Sequence, residues 1–417
     1  MDKRTTENYL KLAVFDVEGV LLPKNRYLTF EIGRNLSLTK FIKYLCVALL
    51  YEARLISLES ALKKVFKLFR GININELLRI FQQVPLLPFA ESVLAKLRKK
   101  GLKIVLISSG LPQTMVDNLA FRLNADYAFG LELEIENGVL TGGIKGKVIE
   151  KNGKSYIIEK LLKRENLEPK NCVIIADDRN NSSIFYPEAL KIGCNPDAAI
   201  ILKSDYVIKD NLMEILHIIE QKPKSSSRSI SRNEAIREII HASGFFVALA
   251  TMHLGIFLTI TLLSFTALVY MVSEFARVEK RNIPVISSIT LNAATDYERF
   301  EFALTPVFLA LGIVLSLLFF STPINFAVIA VISLGDSAAS IFGRLFGKNT
   351  VPYNKGKNLE GSLAGFAFAF LGASIFLNPL LALVAAAIGM LVETLPLPVN
   401  DNLSIPLITG MVLTVLV

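Results

Sequence analysis

The chain has 417 residues, of which 52% are hydrophobic, and it carries a formal net charge of +8. Its mean hydropathy of +0.48 is too high for a wholly soluble protein, and its length allows two domains. The basic residues cluster beside apolar runs, as in membrane proteins, so the positive charge does not indicate a nucleic-acid partner. Cys46, Cys172 and Cys194 are widely spaced, which supports neither a disulfide framework nor a zinc site.

The apolar residues are distributed unevenly between two halves of the chain. Residues 1–232 mix charges with periodic hydrophobic residues, whereas residues 243–417 contain long runs nearly free of charge. The serine-rich, basic stretch KPKSSSRSISR between them is typical of a flexible linker. We therefore expect a globular domain at residues 1–221, a linker at 222–233 and a membrane domain at 234–417. The N-terminus lacks a signal-peptide pattern, which predicts that the globular domain stays in the cytoplasm.

The first strong pattern is KLAVFDVEGVLLP, which predicts a buried strand ending at Phe15. This strand delivers Asp16 and Glu18 to its C-terminal end, where open α/β sheets place their chemistry. Hydrophobic residues at helical spacing follow from about Tyr27 to Val84. They predict an inserted helical cap over about residues 24–86.

Strands and helices then alternate, which predicts a doubly wound parallel sheet. A strand ends in Ser108 and Ser109, Lys154 precedes a helix, and a further strand leads to Asp177 and Asp178. Between them, alternating residues 131–143 predict a β-hairpin that turns at Asn137–Gly138. The sequence thus predicts polar and acidic side chains at the ends of several neighbouring strands.

The order of these motifs resembles the haloacid dehalogenase superfamily, nearest to phosphoserine phosphatases with a small helical cap, over residues 11 to about 215. The resemblance implies that Asp16 is a nucleophile that forms an aspartyl phosphate. It also implies substrate phosphate binding by Ser108, Ser109 and Lys154, and Mg²⁺ binding by Asp16, Glu18 and Asp177.

Three residues depart from the pattern of that superfamily. Glu18 stands where an aspartate acid/base is usual, Asp178 replaces a glycine, and Asn181 replaces an aspartate near the metal. Glu18 can still shuttle a proton if one extra methylene is accommodated, whereas Asn181 removes a negative charge. The domain is therefore expected to be either an active phosphatase or a degenerate one.

The second half is expected to be an all-α polytopic membrane bundle of about seven spans. Residues 243–273 are too long for one span of about 20 residues, and Arg237 and Arg277 flank them with positive charge. We therefore expect two spans that turn near His253 and Gly255, with both flanks in the cytoplasm. The other expected spans are residues 302–320, 323–342, 361–378, 380–396 and 403–417.

A charged, glycine-rich loop lies between two of these apolar runs, with the sequence GDSAASIFGRLFGKNTVPYNKGKNLEGS from residue 335 to 362. Asp336 lies inside an apolar run, where an ionisable group usually faces a bundle interior or a water-filled site. Carboxylates and lysines together favour Mg²⁺ and nucleotide phosphates. The alternative is a loop that only orients the protein, with Asp336 paired to Arg344. The loop's other charged side chains are those of Lys348, Lys355, Lys357 and Glu360.

The runs GDSAASIFGRLFG and KNLEGS resemble the signature of the CTP-dependent polyprenol kinase family, which includes dolichol, phytol and diacylglycerol kinases. The resemblance implies that Asp336, Lys357, Glu360 and Gly361 lie at the nucleotide and the metal. Asn358 stands where a threonine is expected. Similar motifs over about residues 234–410 add Arg237, His241, Glu274, Arg277, Glu393, Asp401 and Asn402.

These features predict an integral membrane protein of the cell membrane, whose N-terminal domain and active loops are cytoplasmic. The kinase half is expected to transfer the γ-phosphoryl group of CTP to a polyprenol, with Mg²⁺ as cofactor. Phytol, geranylgeraniol or diacylglycerol are alternative acceptors. A further alternative is a membrane-tethered phosphatase whose second half is only an anchor or a transporter, because intramembrane charges also line ion pathways.

Overall fold

The computed structural model describes residues 10–24, 37–52, 54–209, 211–220, 230–278, 281, 284–294 and 302–417. The chain divides into two compact units, Met1–Ser225 and Ser226–Val417. Most of the expected linker lies outside the described residues, as do Tyr27, at the expected start of the cap, and the first nine residues. The domain boundaries given above therefore stay predictions.

The first unit contains a seven-stranded sheet in the order β4-β3-β2-β1-β5-β6-β7. All neighbouring strands are parallel except the hairpin of β3 and β4. Asn137 and Gly138 adopt positive φ angles of 51° and 77° at the turn of that hairpin, as expected. The strands are β1 Leu12–Asp16, β2 Lys103–Pro112, β3 Tyr127–Glu136, β4 Val139–Lys145, β5 Cys172–Ala176, β6 Leu190–Cys194 and β7 Tyr206–Ile208.

Strand β1 is the centre of the sheet and is fully buried. Asp16 pairs with Ile107 of β2 on one side, and Phe15 pairs with Ile175 of β5 on the other. Connections leave these neighbouring strands in opposite directions, so their carboxyl ends form the crevice in which doubly wound sheets bind ligands. This geometry places the residues after β1, β2 and β5 around one point.

Helices cover the sheet, and three of them form an insertion between β1 and the first covering helix. The insertion contains α1 Leu38–Glu52, α2 Leu58–Leu68 and α3 Ile74–Gln82. The fold class expected from the sequence, a doubly wound sheet with a small helical cap, is confirmed. The other helices are α4 Ala90–Lys99, α5 Gln113–Leu123, α6 Gly153–Glu165, α7 Ala198–Ile201 and α8 Glu214–Ile219.

The described residues of the second unit form helices and a short hairpin of β8 Thr350–Val351 and β9 Asn354–Asn358. A π-helical turn, Val331–Asp336, interrupts one long helix. The helices are α9 Arg232–Ser243, α10 Phe245–Leu254, α11 Ile256–Val278, α12 Pro284–Ala293, α13 Thr305–Phe319, α14 Ile324–Ala330, α15 Ser337–Phe346, α16 Leu359–Ala373, α17 Pro379–Thr394 and α18 Asp401–Leu416.

In the part of the chain that the structure describes, three helical segments are long and apolar enough to cross a membrane: Arg232–Leu254, Ile256–Arg277 and Ile324–Phe346. The expected turn near Gly255 is present, with a positive φ of 79°, and Val247 and Leu263 on either side of it line the same cavity. Four shorter apolar helices, α13, α16, α17 and α18, follow the other expected spans. The helical bundle is thus confirmed, and three of its seven apolar segments reach full spanning length.

Small residues let the helices of this bundle approach closely, as is usual in membrane proteins. A Cβ atom at Gly365 of α16 would lie 2.5 Å from Met390 Sδ and 2.8 Å from the carbonyl oxygen of Gly335. The π-helical turn therefore packs tightly between α16 and α17. This packing fixes the position of Asp336, the last residue of the turn.

Candidate active sites

Asp16, the last residue of β1, is the centre of the site in the first unit and is only 5% exposed. Its Oδ1 accepts hydrogen bonds from Lys154 Nζ at 3.0 Å and from the backbone N–H of Val17 at 3.0 Å. Its Oδ2 accepts one from Asn181 Nδ2 at 2.5 Å. Lys154 reaches the site from the first turn of α6. The expected nucleophile is thus held in one orientation by a lysine and an amide.

Asn181 donates hydrogen bonds that an aspartate at this position cannot donate. Its Oδ1 accepts a hydrogen bond from Lys154 Nζ at 2.7 Å, while its Nδ2 donates to Asp16 and also to Asp178 Oδ1 at 3.0 Å. An ionised carboxylate has no proton to donate to the two aspartates. This departure from the superfamily pattern therefore removes a charge but links three members of the site.

Asp177 and Asp178 follow β5 and lie beside Asp16. Ligand atoms of the three carboxylates all lie within 4.8 Å of one another. Asp177 Oδ1 is buried and has no hydrogen-bond partner among the described residues, which leaves a costly orphan acceptor. Oxygen donors in such a group are the ligands that Mg²⁺ prefers, so the residues present fit the expected ion. Glu18 is not in this group, and its metal role stays a prediction.

Lys24 is a member of this site that the sequence analysis missed. Its Nζ donates to Asp177 Oδ2 at 2.6 Å, on the carboxylate whose other oxygen is the orphan. Burial and the neighbouring Asp178 raise the pKa of Asp177 well above its ordinary value, whereas Lys24 lowers it. The only sequence signal for Lys24 was a positive charge eight residues after a strand-end aspartate.

Glu18 lies over the end of β2 and receives a hydrogen bond from Ser108 Oγ at 3.0 Å. Burial, followed by the charge of Asp16, raises the pKa of Glu18 to about 7, although Ser108 and Lys154 oppose the shift. A carboxyl group with such a pKa can act as an acid or as a base near neutral pH. Ser109 instead donates to the carbonyl oxygen of Val148 at 2.9 Å, so it fixes the neighbouring loop.

A cavity of about 290 Å³ separates these residues from the helical cap. Tyr51 of α1 joins the cap to the loop after β5. Its hydroxyl donates to Asn180 Oδ1 at 2.8 Å, and Arg179 Nη2 donates to its carbonyl oxygen at 3.0 Å. The Arg179 guanidinium also lies 4.9 Å from the centre of the Tyr51 ring. The cap is thereby held over the site.

The second unit gathers a separate group of polar side chains around His241 of α9. His241 Nδ1 lies 3.0 Å from Ser337 Oγ, and its Nε2 lies 2.8 Å from Asn402 Oδ1. Nε2 is also 3.7 Å from Asp336 Oδ2. Residues 96 and 161 positions away in sequence thus fix both ring nitrogens of His241.

Lys357 of β9 extends this group. Its Nζ lies 2.5 Å from Glu393 Oε1 at the end of α17 and 3.2 Å from Asp401 Oδ2 at the start of α18. Burial lowers the pKa of Lys357, but the carboxylates of Glu393 and Asp401 outweigh burial and raise it above its ordinary value. We call Asp336, His241, Lys357, Glu393, Asp401 and Asn402 the charged cluster.

Other expected members of this site have different surroundings. The Glu360 carboxylate accepts hydrogen bonds from the backbone N–H groups of Lys348 and Asn349 at 3.1–3.2 Å, so it closes the loop before α16. Arg344 pairs with Glu234 at 3.2 Å and not with Asp336. Lys348 and Lys355 lie on the same loop, exposed and half-buried. Their expected contacts with nucleotide stay predictions.

Four more expected residues have structural partners. Glu274 and Arg277 of α11 form a buried ion pair at 2.7 Å, and Glu274 also accepts a hydrogen bond from the Ala303 N–H at 3.0 Å. A Cβ atom at Gly361 would lie 2.5 Å from the carbonyl oxygen of Ala339, so this glycine lets α15 and α16 touch. Arg237 pairs with the adjacent Glu238 at 3.3 Å.

Asn358, where a threonine was expected, is the N-cap of α16. Its Oδ1 accepts a hydrogen bond from the Gly361 N–H at 3.0 Å, and its Nδ2 donates to the Gly343 carbonyl at 3.1 Å. Asparagine is among the preferred N-cap residues. The asparagine thus still caps α16 directly after Lys357.

An apolar cavity of about 370 Å³ adjoins the charged cluster. Arg237 and His241 are its ionisable lining residues, and hydroxyl groups come from Ser243, Thr266, Tyr270, Thr290 and Thr305. The other lining residues are apolar and include Leu263, Ala267, Leu309, Ala310 and Ile313 from α11 and α13. His241 therefore belongs both to the charged cluster and to the wall of this cavity.

Comparison with known proteins finds similarity to phosphatases and to a probable phytol kinase. Residues 13–180 match the family of haloacid dehalogenase-like hydrolases. A phosphoserine phosphatase of Archaeoglobus fulgidus is 32% identical over 166 residues, which are 40% of this chain and 48% of that relative. The chain thus spans about half the length of that relative. The N-terminal half is a haloacid dehalogenase-like domain similar to phosphoserine phosphatases.

A probable chloroplastic phytol kinase of Glycine max is 33% identical over 124 residues, covering 25% of this chain and 41% of that protein. A solved phosphoserine phosphatase, a phospho-aspartyl intermediate analogue, is 27% identical and covers 50% of this chain and 98% of its own, with a TM-score of 0.46. The names of the two sequence relatives, a phosphatase and a kinase, denote hydrolysis and transfer of a phosphoryl group, in agreement with the expected class of enzyme. The expected Mg²⁺ also agrees with the acidic group around Asp16.

Proposed function

We propose that the chain is a CTP-dependent lipid-alcohol kinase fused to a phosphatase-like domain of weak activity at most. The kinase half transfers the γ-phosphoryl group of CTP to the terminal hydroxyl of a polyprenol. This transfer takes place at the cytoplasmic face of the cell membrane. The N-terminal domain and the loop that carries Lys357 lie on that face.

The observation that carries the proposal is the charged cluster at the ends of apolar helices. Ionisable side chains in such surroundings are costly to bury, so their concentration at one place favours a function over a simple anchor. Lys357 and its two carboxylate partners come from three different elements. The similarity to a phytol kinase supports phosphoryl transfer to a lipid alcohol as that function.

Each member of the cluster has a distinct proposed role. Asp336 would hold Mg²⁺, which binds through one or two carboxylates together with substrate phosphates and offsets their charge. Lys357 binds phosphate oxygens and is itself held by Glu393 and Asp401. His241, fixed by Ser337 and Asn402, lies where the cluster meets the cavity and orients the acceptor hydroxyl.

The apolar cavity beside the cluster supports a lipid as the acceptor. Its volume of about 370 Å³ lies within the range of small-molecule sites, about 300–1,000 Å³. An apolar chain can fill the part lined by Leu263 and Leu309 while its hydroxyl stays near His241. Phytol, geranylgeraniol and diacylglycerol are alternative acceptors, because each of them also has an apolar chain and a hydroxyl group.

In the phosphatase-like domain, Asp16 is the proposed nucleophile. Asp16 attacks the phosphorus of a phosphomonoester, and the bond from phosphorus to the alcohol oxygen breaks while Glu18 protonates that oxygen. Water then attacks the aspartyl phosphate, Glu18 takes its proton, and inorganic phosphate leaves. Asp16, Asp177 and Asp178 would hold Mg²⁺, which offsets the negative charge of the phosphate.

The test is phosphoryl transfer by purified protein, with CTP compared to ATP across a panel of polyprenol, phytol, geranylgeraniol and diacylglycerol. We expect labelled lipid with CTP and one class of alcohol. The absence of labelled lipid with every pairing would refute the kinase proposal. In that case the second unit would be an anchor or a transporter attached to a phosphatase.

A further inference from the structure

The first cap helix, α1, is apolar on two opposite faces. Tyr44, Val47, Ala48 and Tyr51 recur at helical spacing on the face that lines the 290 Å³ cavity. The opposite face exposes Ile42, Leu45 and Leu49, which are 51%, 40% and 69% exposed. Exposed apolar residues that recur on one face of a helix favour contact with a partner or with lipid. Neither face of α1 thus suits a cap that closes over a polar substrate in water.

The second cap helix extends the apolar wall of the cavity. Ala61, Leu62 and Val65 of α2 line it together with Leu58. Among the described residues, every charged side chain that lines the cavity comes from the sheet side and not from the cap. These charged residues are Asp16, Glu18, Lys24, Lys154, Asp178, Arg179 and Asp197.

The charges on the sheet side are already engaged with one another or with the backbone. Lys154 binds Asp16 and Asn181, Lys24 binds Asp177, and Arg179 binds the carbonyl oxygen of Tyr51. The ammonium and carboxylate groups of an amino acid need charged partners beyond the phosphate site, because burial without a partner is costly. The described part of the cap offers none, whereas it offers a continuous surface for a hydrocarbon chain.

The exposed side chains of α1 have the chemistry of a membrane-surface helix. Lys40 and Lys43 are exposed in its first two turns, and Ile42, Leu45 and Leu49 are exposed on the face opposite the cavity. Apolar residues flanked by lysines bind the interface of bilayers that contain anionic lipids. A cap at this interface would receive its substrate from the membrane.

We propose that the N-terminal site hydrolyses phosphomonoesters of apolar alcohols, which it takes from the membrane surface under α1. The inference rests on the phosphatase part of the proposed function and adds its substrate class. The bond from phosphorus to the alcohol oxygen breaks, water supplies the hydroxyl group of inorganic phosphate, and the free alcohol returns to the bilayer. The phosphate lies at Asp16 and Lys154, and the chain lies against Val47, Leu62 and Val65.

The first experiment measures phosphate release by the full chain in nanodiscs with Mg²⁺ and without nucleotide. The substrates are geranylgeranyl monophosphate, phosphoserine and p-nitrophenyl phosphate. We expect kcat/KM for geranylgeranyl monophosphate to exceed that for phosphoserine at least tenfold. Equal or better hydrolysis of phosphoserine would overturn the inference. No phosphate release from any of the three substrates would instead refute the phosphatase part of the proposed function, and with it this inference.

Substitution of the cavity wall makes the test specific. Val47→Asp places a charge opposite the phosphate site, and Val47→Gln is a milder variant in case the first fails to fold. We expect either to lower the ratio of kcat/KM for geranylgeranyl monophosphate to that for p-nitrophenyl phosphate, the aspartate about tenfold. Leu202→Asp, at an exposed apolar residue away from the cavity, should leave the ratio unchanged. An unchanged ratio in folded Val47 variants would show that the cap does not bind the chain.

The native cysteines provide a test of membrane contact by α1. Cys46 is exposed on α1, whereas Cys172 and Cys194 are buried, so a maleimide fluorophore will label Cys46. In nanodiscs of brominated anionic lipid we expect strong quenching of this probe. A probe on Leu202→Cys, in a chain that also carries Cys46→Ser, should be quenched much less. Equal quenching of the two probes would contradict contact between α1 and the membrane surface.

Discussion

The two charged centres of this protein, the site around Asp16 and the charged cluster, are built from different kinds of backbone structure. In the first unit, Asp16 and Asp177 follow neighbouring parallel strands, so the sheet itself brings their carboxylates together. In the second unit, Asp336, Lys357 and Glu393 come from a π-helical turn, a short hairpin and a helix end. The first centre therefore depends on strand register, whereas the second depends on how closely separate helices pack.

The difference extends to the partners of the central lysines. Lys154 binds an aspartate and an amide that are also hydrogen-bonded to each other, so each member of that site has several supports. Lys357 lies between two carboxylates from α17 and α18, and Asp336 lies 3.7 Å from His241. We therefore expect a substitution in the second centre to have the larger effect on its activity.

The largest effect is expected for Asp336→Asn, which keeps the size of the side chain and removes its charge. The variant should lose CTP-dependent phosphorylation of the lipid alcohol by about 10²–10³-fold, because a preorganised charge at the transferring phosphoryl group is lost. Radiolabel incorporation into lipid measures this loss. Insertion and folding should be intact, as judged by thermal unfolding in detergent. Turnover near the wild-type rate would remove Asp336 from the proposed site.

The strand-based centre could be predicted from the sequence because parallel strands share one edge. Strand ends at Asp16, Ser108 and Asp177 were sufficient to predict where these residues meet. Lys24 could not be found in this way, because its contact with Asp177 depends on the path of the loop after β1. The location of Asp178 near the metal ligands was likewise noted only as a departure from a pattern.

The helix-based centre was predicted less completely. The positions of His241 and Asn402 were expected on one membrane face, but their hydrogen bond depends on the packing of α9 against α18. The π-helical turn that aims Asp336 has no signature in hydrophobic periodicity. Glu360 was expected at the metal, whereas its carboxylate binds the backbone of its own loop. Motif spacing therefore identified the residues but not their partners.

A smaller effect is expected for Gly19→Ala, which tests the strand-based centre. Gly19 has a positive φ of 79°, and an added Cβ would overlap Asp177 Oδ2. We expect Asp177 to move and Mg²⁺-dependent phosphate release to fall about tenfold, while lipid phosphorylation stays unchanged. Assays of both activities on one preparation measure this.

The control for this prediction is Gly71→Ala. Gly71 also has a positive φ, 91°, but nothing lies within 4 Å of an added Cβ atom. Gly71→Ala therefore has the backbone strain without the overlap, at a cost of about 1 kcal/mol in the free energy of unfolding. An equal loss of phosphatase activity in both variants would mean that strain, and not displacement of Asp177, is the cause.

A still smaller effect is expected for Asn358→Ala, which tests the helix-based frame. Loss of an N-cap destabilises a protein by about 0.5–2 kcal/mol. Asn378→Ala removes the N-cap of α17, where Asn378 accepts a hydrogen bond from the Leu381 N–H at 3.0 Å. The two variants should lower the melting temperature similarly. Only Asn358→Ala should lower lipid phosphorylation, several-fold, because Asn358 is adjacent to Lys357; equal kinase activity would contradict that link.

The smallest effect is expected when Asp16→Asn is assayed for lipid phosphorylation. The proposed kinase produces a phosphomonoester and the proposed phosphatase hydrolyses phosphomonoesters, so two full activities in one chain would form a futile cycle. The departures at Glu18, Asp178 and Asn181 lie in the phosphatase half, and for this reason we expect its activity to be the weaker one. Asp16→Asn should remove phosphate release, because the amide is a poor nucleophile, and should change phosphorylation of the alcohol by less than about twofold.

The outcome of this assay decides whether the phosphatase half and the kinase half act independently. If the phosphatase acts on the product of the kinase, accumulation of phosphorylated lipid over long times should rise in Asp16→Asn while its initial rate stays the same. A time course of labelled lipid separates these two quantities. A fall in the initial rate, with folding intact, would refute the independence of the two halves. It would indicate that Asp16 passes a phosphoryl group or a conformational change to the kinase half, so that the activity of the charged cluster depends on the acidic site.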